Sequence, residues 1–579
     1  MVAKDDPNAD RYFLRPINRD VGSARAFSWA NAQLKECTVS HEACEPYFDS
    51  GTALLPTRLL SLNDQSAAYP AKLYTSNLGE MGAYVVLSYC WGGLQSHSAT
   101  TNNIDQYSNG ITACNIPRTI LDAIVVTRKL GFRLLWVDSL CILQDSPTDI
   151  EREVSQMARI YKNATITIMA ASARSCYEGF LQDRTEKTAR DRVTRCIIPL
   201  GDGRDGFAKE MELVVNAPAH LGIDNEPLNQ RGWALQEILL SSRKLYYGEE
   251  KLIWACQTTA CSDGGDLLSA DRAIPLKSRS KDRNPGYCPL SKREELPSSW
   301  ASDVEQYSKR SLTFAEDTLP AIAGIAAELQ AMTGWKYLAG LWQERIIHGL
   351  PWERLESSTH SRSNTNRWRA PSWSWASLDN PVRHLKTNFD NRIFAELVSC
   401  AAEPLHSENP LGQVRTAELV LRGPLCAISF SKGGKLIPDG FDPKMKLTEG
   451  LLSYSSWTID REEPIYALYP QDVQRKFVRG KSNRKLSQLL ESNWRPQGDT
   501  PRSKRPIAWC LALFVGHLGL NEFPVGDVAT IGLVLMRVKG DCYQRIGLFV
   551  GPKEDDDRYS PSNYDCYYKS APVTTVKIV

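Results

Sequence analysis

Five segments between residues 84 and 171 alternate in hydrophobic periodicity, and this alternation constrains the fold more than any other feature of the sequence. Short apolar runs are typical of buried strands, whereas apolar residues at intervals of three and four are typical of helices. The order strand, helix, strand, helix, strand with short connections predicts an α/β fold, a parallel sheet with flanking helices. The segments are strand 84–89, helix 116–130, strand 134–137, a helix that begins at Ser146-Pro147, and strand 164–171.

Capping residues bound the first predicted helix. Asn115 is a suitable N-cap, and the fixed φ of Pro117 suits a first helical turn. Gly131 follows the last apolar residue and suits the left-handed position beyond a helix end. The helix is therefore expected between Asn115 and Gly131.

The carboxyl ends of the three predicted strands carry polar and small residues. In open parallel sheets, ligands bind beyond these ends. We therefore expect a site formed by segments 88–92, 138–141 and 172–176. Asp138 closes a buried strand, where a carboxylate either caps the following loop or belongs to a ligand site, and the sequence leaves both interpretations open.

A later helical segment, RGWALQEILLSSR (231–243), carries Trp233 and Glu237 one turn apart. Residues i and i+4 share a helix face, so the indole would wall a pocket around the carboxylate, and apolar surroundings would raise the pKa of that carboxylate. Taken alone, the pattern is more typical of an amphipathic helix with a surface glutamate. Glu153, beside the apolar face of the second helix, suits either a structural ion pair or a wall of the strand-end site.

Changes in composition divide the chain into four predicted segments. Polar and basic residues separate the α/β pattern from a helical region, and short strands with Gly and Pro turns follow. The predicted segments are an N-terminal extension (1–80), the α/β domain (81–260), a loop insertion and helical region (261–370), and a β-rich C-terminal module (371–579).

Two further patterns predict β structure. The segment 195–218 predicts a hairpin with GDGRDG (201–206) as its turn, because a strand-like run follows the glycines where a nucleotide-binding GxGxxG motif requires a helix. In PSWSW (371–375), Trp373 and Trp375 alternate, which predicts a strand with both indoles on one packed face.

Composition excludes several classes of protein. Of the 579 residues, 42% are hydrophobic and 23% are charged, which are globular values and exclude collagen, coiled coil and wholesale disorder. Lys and Arg number 69 against 67 Asp and Glu, so no global charge attracts nucleic acid or an anionic membrane. The basic cluster 475–485 is interpreted as a solvated loop, with nucleic-acid binding or nuclear localisation left open. No nucleic-acid partner is expected.

The apolar runs and the N-terminal residues predict a cytoplasmic protein without a membrane span. The start MVAKDDPNADRYFLRP lacks the apolar core of a signal peptide. The longest apolar run, 507–515, is far shorter than the about 20 residues that a bilayer requires. Fifteen cysteines are too few for a disulfide scaffold and fit buried thiols in a reducing compartment.

Cys37, His41 and Cys44 form a C-x3-H-x2-C pattern. These residue types suit zinc, but a closed structural site needs four ligands, and no fourth candidate lies nearby in the sequence. Local packing or hydrogen bonding is the favoured interpretation, and metal binding stays open. The sequence alone therefore assigns no metal ligands and no resident cofactor.

Several blocks resemble a known family. YVVLSYCWG (84–92) resembles the opening motif of the heterokaryon-incompatibility (HET) domain of filamentous fungi, and six further blocks follow it in the family's order. The resemblance extends over about residues 30–380, with a loosely similar tail. These further blocks are IPRTILDAIVVTRKLGFRLLWVDSLCILQD (116–145), DIEREVSQMARIYKNATITIMAA (149–171), RGWALQEILLSSR (231–243), YSKRSLTFAEDTLPAIAGIA (307–326), YLAGLWQERIIHGLPW (337–352) and APSWSWASLD (370–379).

The HET resemblance implies a role in fungal non-self recognition. HET-domain proteins help to trigger a localised programmed cell death when genetically different hyphae fuse. The implied partners are an unidentified protein that acts as the incompatibility trigger and further copies of the chain through self-association. Two alternatives stay open: a signalling or interaction protein without catalysis, and an accessory protein of a secondary-metabolite biosynthetic cluster.

The HET domain is in turn similar to the TIR domain, a flavodoxin-like module of innate immunity. Many TIR domains cleave NAD, and their catalytic glutamate follows a tryptophan by four residues in a helix. Trp233 and Glu237 stand in that relation here, so the resemblance implies NAD glycohydrolase activity with NAD as substrate and Glu237 as the catalytic residue. The substrate contacts implied at the strand ends and beside the helix are Ser88, Trp91, Gly92, Gly93, Asp138, Arg231 and Trp233.

Overall fold

The chain forms two compact units in a computed structural model. The first unit comprises Met1–Cys288 with Arg310–Leu312, and the second comprises Pro289–Lys309 with Thr313–Val579. The structure describes residues 18, 20–41, 44, 53–63, 69–93, 95–182, 194–199, 210–215, 225–249, 251–264, 296–355, 368–385, 387–430, 436–438, 456–459, 507–518, 527–538, 542–550 and 571–579.

The first unit is an α/β unit. Two short 3-10 helices, Ala113–Asn115 and Pro227–Gln230, accompany its α-helices. The α-helices are α1 (Ala24–Ser40), α2 (Ile104–Asn109), α3 (Arg118–Lys129), α4 (Asp138–Cys141), α5 (Pro147–Asn163) and α6 (Gly232–Leu240). The strands are β1 (Ala53–Leu54), β2 (Arg58–Ser61), β3 (Lys72–Thr75), β4 (Met81–Gly82), β5 (Val85–Ser88), β6 (Leu134–Trp136), β7 (Ile166–Met169), β8 (Thr194–Pro199), β9 (Glu210–Val215), β10 (Arg243–Tyr247), β11 (Leu252–Cys256) and β12 (Ala260–Ser262).

Eight of these strands form one mixed sheet in the order β12-β11-β10-β7-β5-β6-β2-β3. Its centre is parallel, since β5 pairs in parallel with β6 and β7, and β7 with β10. The flanking pairs are antiparallel. The predicted parallel sheet is therefore correct for the centre and wrong for the flanks. Between β10, β11 and β12 the connections are only a few residues long, which permits antiparallel but not parallel pairing.

The first helical connection leads from β5 to β6 on one side, and the second leads back across β5 to β7 on the other. In doubly wound sheets, the ligand crevice lies at such a reversal, beyond the carboxyl ends of the two strands, which here are β5 and β7. All four residues of β5 and of β7 are buried, as expected for strands covered on both faces. The crevice is the place where the sequence predicts a site.

The predicted helices are present, with one corrected boundary. Helix α3 begins at Arg118 with Pro117 as its N-cap, rather than Asn115, because Asn115 ends the preceding 3-10 turn. Gly131 follows the helix with φ +86°, the left-handed conformation expected there. Helix α5 begins as predicted, with the Ser146 hydroxyl accepting from the Asp149 N–H and proline in the first turn.

A hairpin lies at the predicted position between residues 195 and 218. Strands β8 and β9 pair antiparallel, from Thr194 opposite Val215 to Pro199 opposite Glu210. The predicted turn, GDGRDG (201–206), lies outside the described residues, as does the basic cluster 475–485. The division into four segments stays a prediction, although β2 and β3, from the predicted N-terminal extension, pair within the eight-stranded sheet.

The second unit combines helices with a β-rich sheet that begins near residue 387. Its helices are α7 (Leu296–Ser308), α8 (Pro320–Thr333) and α9 (Ile346–Gly349), with 3-10 turns Ala315–Thr318, Gln343–Arg345 and Trp375–Ser377. Its strands are β13 (Tyr337–Leu338), β14 (Leu341–Trp342), β15 (Trp352–Arg354), β16 (Val382–His384), β17 (Thr387–Ile393), β18 (Glu396–Pro404), β19 (Val414–Phe430), β20 (Leu436–Pro438), β21 (Ser456–Ile459), β22 (Ile507–Leu518), β23 (Asp527–Arg537), β24 (Cys542–Val550) and β25 (Val573–Ile578).

The PSWSW segment is buried as predicted but is not a strand. Trp373 and Trp375 are 0% and 2% exposed, and Trp375 belongs to a 3-10 turn. The Ser374 hydroxyl accepts from the Ala376 N–H, and the Trp375 Nε1–H donates to the Gly340 carbonyl at 2.9 Å. Side-chain hydrogen bonds of Ser374 and Trp375 thus satisfy backbone groups that a strand ladder would otherwise pair.

Among the described residues, no helix is both long and apolar enough to cross a membrane.

Candidate functional site

The first element of the site is a contact between the end of β5 and helix α6. The Ser88 hydroxyl, at the carboxyl end of β5, donates a hydrogen bond to Oε2 of Glu237. Both residues are buried, at 1% and 2% exposure. The predicted catalytic glutamate is therefore not a surface residue of an amphipathic helix. It lies at the strand end where the sequence predicts a ligand site.

Arg231 and Tyr161 complete the surroundings of the Glu237 carboxylate. Burial raises the pKa of Glu237, while the Arg231 guanidinium and hydrogen bonds from Ser88 and Tyr161 oppose this rise. Burial also works against the charge on Arg231, but Glu237 and Asp138 outweigh it and raise the pKa of Arg231. Arg231 is the N-cap residue of α6, and its Nη1 donates to the Tyr89 carbonyl.

A second carboxylate lies at the end of the neighbouring strand β6. Asp138 accepts hydrogen bonds from Trp91 Nε1 at 2.8 Å and from the Ser139 backbone N–H at 2.7 Å. Burial raises its pKa, and Arg231 and these donors oppose the rise. Asp138 is the first residue of helix α4, whose N-cap is Val137, and it makes no side-chain hydrogen bond of the N-cap type to that helix. Its place in a ligand site stays a prediction.

The loop after β5 has a backbone that requires glycine. Gly92 and Gly93 have φ values of +73° and +125°. A Cβ on Gly92 would lie 2.2 Å from Cβ of Ser175, in the loop after β7. The Cys176 N–H also donates to the Trp91 carbonyl at 3.3 Å. The two loops that border the crevice are therefore in direct contact.

Trp233 lies in the first turn of α6 and is half-buried, one turn before Glu237. The described geometry thus brings together Ser88, Trp91, Asp138, Arg231 and Glu237 by direct contact or charge. It places Gly92 and Gly93 in the adjoining loop.

The arrangement concentrates negative charge. Glu237 and Asp138 both interact with one guanidinium, that of Arg231, and the charge on Asp138 adds to burial in raising the pKa of Glu237. Two carboxylates against one cation favour a bound group that carries or develops positive charge. The hydroxyls of Ser88 and Tyr161 orient the Glu237 oxygens, so this carboxylate is held in one position.

A protein-family model matches part of the chain. Residues 84–237 match the model described as heterokaryon incompatibility protein (HET). This segment is a HET domain. No curated protein and no solved structure matches the chain. The match confirms the resemblance to the HET domain over residues 84–237.

The HET domain begins at Tyr84 and ends at Glu237, so it contains every residue of the predicted site. Its limits fall on the two elements that the Ser88–Glu237 hydrogen bond joins. Residues 85–88 supply the central strand, and α6 supplies the carboxylate from the other end of the segment.

Two members of the site in the HET domain were not predicted as such. Tyr161 belongs to the apolar face of α5 in the sequence pattern, but its hydroxyl interacts with the Glu237 carboxylate and its oxygen lies 3.3 Å from the Leu87 carbonyl oxygen. Cys90 is buried beside the site, where burial raises its pKa to about 11. The sequence signal that could have pointed to Tyr161 is the tyrosine itself on an apolar helix face, since a buried hydroxyl requires a hydrogen-bond partner.

Glu153 belongs to a different cluster of the first unit. Its Oε1 lies 3.0 Å from Nη2 of Arg152 and 3.8 Å from Nη2 of Arg58, and Arg58 also pairs with Asp149. Arg58 Nε donates to the Cys141 carbonyl at 2.8 Å. These contacts favour the structural ion pair over the cleft wall for Glu153.

Proposed function

We propose that this HET-domain protein acts in heterokaryon incompatibility as a cell-death effector, and that its chemistry is the TIR-like hydrolysis of NAD. The observation that carries the proposal is the Ser88–Glu237 hydrogen bond, which holds a buried carboxylate at the carboxyl end of the central strand. A polar group held at this place is typical of ligand sites in doubly wound sheets.

The order of the parallel strands supports the TIR-like part of the proposal. Numbered along the chain, the four parallel strands β5, β6, β7 and β10 stand in the order 2-1-3-4. Flavodoxin-like sheets share this order and bind their ligand between the first and third strands. In this chain the loops at that point carry Trp91 and Gly92 on one side and Ser175 on the other.

The proposed reaction transfers the ribosyl group of NAD to water. The C–N glycosidic bond breaks, nicotinamide leaves with the bonding pair, and water adds to the ribosyl carbon with loss of a proton to give ADP-ribose. Positive charge develops on the ribose in the transition state. Glu237 would stabilise this charge at short range, Asp138 would add to the negative field, and Arg231 would supply a cationic partner for phosphate.

The burial of Glu237 implies that the conformation described is a resting one. At 2% exposure, the carboxylate can meet a ribose only when the loop after β5 separates from the loop after β7. Self-association would be a suitable trigger for that separation, and it would keep a lethal activity switched off in a dispersed protein. The proposal therefore expects turnover to depend on the association state.

The test is nicotinamide release from NAD by the purified full-length chain, followed by chromatography. It is run on dilute protein and on protein fused to a dimerising partner. The wild type is expected to release nicotinamide when associated, and Glu237→Gln is expected to lower the rate by at least about 100-fold. Glu408→Gln, which alters an exposed glutamate of the second unit, is the matched control and should leave the rate unchanged.

A second candidate function is recognition without catalysis. The near-complete burial of Glu237 favours this function, because the carboxylate would then make a structural hydrogen bond within the core. In that case no nicotinamide is released in either association state. Glu237→Gln would also retain the ability to trigger cell death on co-expression with the incompatible partner. Loss of killing by a Glu237→Gln protein that melts like the wild type would contradict this second candidate.

A further inference from the structure

Three cysteines and one histidine of the first unit meet at one point. Their ligand atoms, the three sulfurs and one ring nitrogen, all lie within 4.8 Å of one another. Three of the residues come from the end of α1 and the turn after it, and the fourth ends strand β11. The four are Cys37, His41, Cys44 and Cys256.

We propose that these four residues bind one structural Zn²⁺ ion. The three thiolates and one imidazole form a complete tetrahedral Cys₃His ligand set, which leaves no open position for substrate or water. The C-x3-H-x2-C pattern lacked only its fourth ligand, and the fold supplies Cys256 from 215 residues beyond His41. The site is independent of the Glu237 site and of its proposed chemistry.

The distances suit a metal better than direct packing. Cys256 Sγ lies 3.5 Å from Nδ1 of His41. With Zn–S near 2.3 Å and Zn–N near 2.1 Å, two ligand atoms of a tetrahedron are separated by about 3.6–3.8 Å. All three sulfurs belong to free cysteines that are at most 2% exposed, so water does not solvate them.

Neighbouring groups donate hydrogen bonds to the sulfurs, as they do around zinc thiolates. Arg243 Nε donates to Cys37 Sγ at 3.2 Å, and the Thr259 N–H donates to Cys256 Sγ at 3.4 Å. The Thr258 hydroxyl lies 3.4 Å from Cys44 Sγ. Each sulfur therefore has a polar hydrogen atom or hydroxyl group within reach.

The charge balance also fits. Zn²⁺ with three thiolates carries a net charge of −1, and Arg243, which is 5% exposed, carries +1. Within the described part of the chain, the contacts of this guanidinium are the Cys37 sulfur and the carbonyl oxygens of Cys44 and Thr165. A buried cation requires a counter-charge, and the metal–thiolate group would provide it.

The burial pattern of α1 indicates what the metal would do. The buried residues of this 17-residue helix are Ala26, Phe27, Ala30 and Cys37. After Ala30, Cys37 is thus the one residue of the helix that anchors it by burial. The metal would fix the C-terminal half of α1, whose one buried residue is Cys37, to strand β11.

The test measures metal content of the full-length chain purified under reducing conditions without chelator. Elemental analysis should find about one zinc per chain in the wild type. Cys256→Ser and His41→Ala should each lose most of it. Cys261→Ser is the matched control, because Cys261 lies five residues beyond Cys256 on β12 and its Sγ contacts Gln33 instead. This variant should keep its zinc.

A second measurement protects the test against variants that fail to fold. The wild type is stripped of metal and titrated with Co²⁺, and tetrahedral thiolate coordination should give the bound cobalt an intense visible absorption. Adding a chelator to the wild-type protein should also lower the melting temperature of that protein. Wild-type protein without zinc or cobalt spectrum would overturn the proposal. So would a disulfide between two of the three cysteines, found by alkylation and mass spectrometry, or equal zinc loss from the Cys261 control.

Discussion

The hydroxyl of Ser88 and the carboxylate of Glu237 are hydrogen-bonded partners separated by 149 residues of chain. One ends the central strand of the sheet, and the other lies on the helix that precedes the fourth parallel strand. A single buried hydrogen bond thus joins the two ends of the HET domain.

Replacement of Ser88 by alanine is expected to destabilise the chain and to alter the titration of Glu237. The carboxylate loses a donor to its charged form, which should cost about 1.5–3 kcal/mol and raise the pKa of Glu237 further. Denaturant unfolding measures the first effect. Ser108→Ala, at an exposed hydroxyl that donates to its own helix, should change the free energy of unfolding by less than about 0.5 kcal/mol. Equal losses of unfolding free energy in the two variants would contradict a stabilising hydrogen bond between Ser88 and Glu237.

The stability difference between wild type and Glu237→Gln should depend on pH. Burial raises the pKa of Glu237 in the folded chain above the value of about 4.3 for an unfolded glutamate. The folded state then binds more protons between those two values, so this group stabilises the fold below pH 4.3, and that contribution is lost as pH rises through the folded pKa. Glutamine does not titrate.

Melting temperatures measured from pH 4 to pH 8 should therefore show the wild type losing stability relative to Glu237→Gln as pH rises. A difference that stays flat, or that grows in favour of the wild type, would show that Glu237 is not held in surroundings that disfavour its charge.

Gly92→Ala should be much more harmful than Gly131→Ala. Both positions have positive φ, so each alanine costs about 1–2 kcal/mol in backbone strain. A Cβ at Gly92 would also collide with Ser175, whereas nothing lies within 4 Å of the same atom at Gly131. With overpacking added, the Gly92 variant should lose about 2–5 kcal/mol. Comparable unfolding free energies for the two variants would rule out the contact between the two loops.

Arg545→Met should destabilise the second unit strongly. Arg545 is fully buried, its guanidinium lies 3.5 Å from the ring centroid of Trp352, and it donates to the carbonyls of Leu350 and Trp352. Removal leaves two buried carbonyls without these donors, at a cost of about 3–5 kcal/mol.

Thermal unfolding of Arg545→Met, compared with Arg422→Met, measures this effect. The Arg422 side chain is 57% exposed beside Glu396, and surface pairs of this kind contribute about 0–1 kcal/mol. Equal melting temperatures for the two variants would show that the buried Arg545 guanidinium does not stabilise the segment around Trp352.

Local patterns predicted the local structure well. The apolar run around Val85 and the capping signals at Ser146 and Gly131 act within a few residues, and the elements there agree with expectation. Trp373 and Trp375 show the limit of such patterns, since alternation also suits a turn followed by a 3-10 helix. Their burial was predictable, but their backbone was not.

Contacts between distant segments could not be predicted from periodicity. The i, i+4 relation with Trp233 pointed to Glu237 as a candidate, but its partner Ser88 became apparent only through the sheet. Likewise, nothing in the residues around Cys256 distinguishes it from the other cysteines, because its place beside His41 depends on the pairing of β11 with β10.

The eight-stranded sheet extends past the HET match on both sides. Strand β6 pairs with β2, and β7 pairs with β10, and both partners lie outside residues 84–237. A fragment cut at those limits would leave both outer strands with bare N–H and C=O groups, which invite strands from other chains. Association of such a fragment would therefore result from its exposed strand edges and would not measure biological self-association. A fragment that begins before Ala24 and continues past Ser262 would keep β6 paired with β2 and β7 paired with β10.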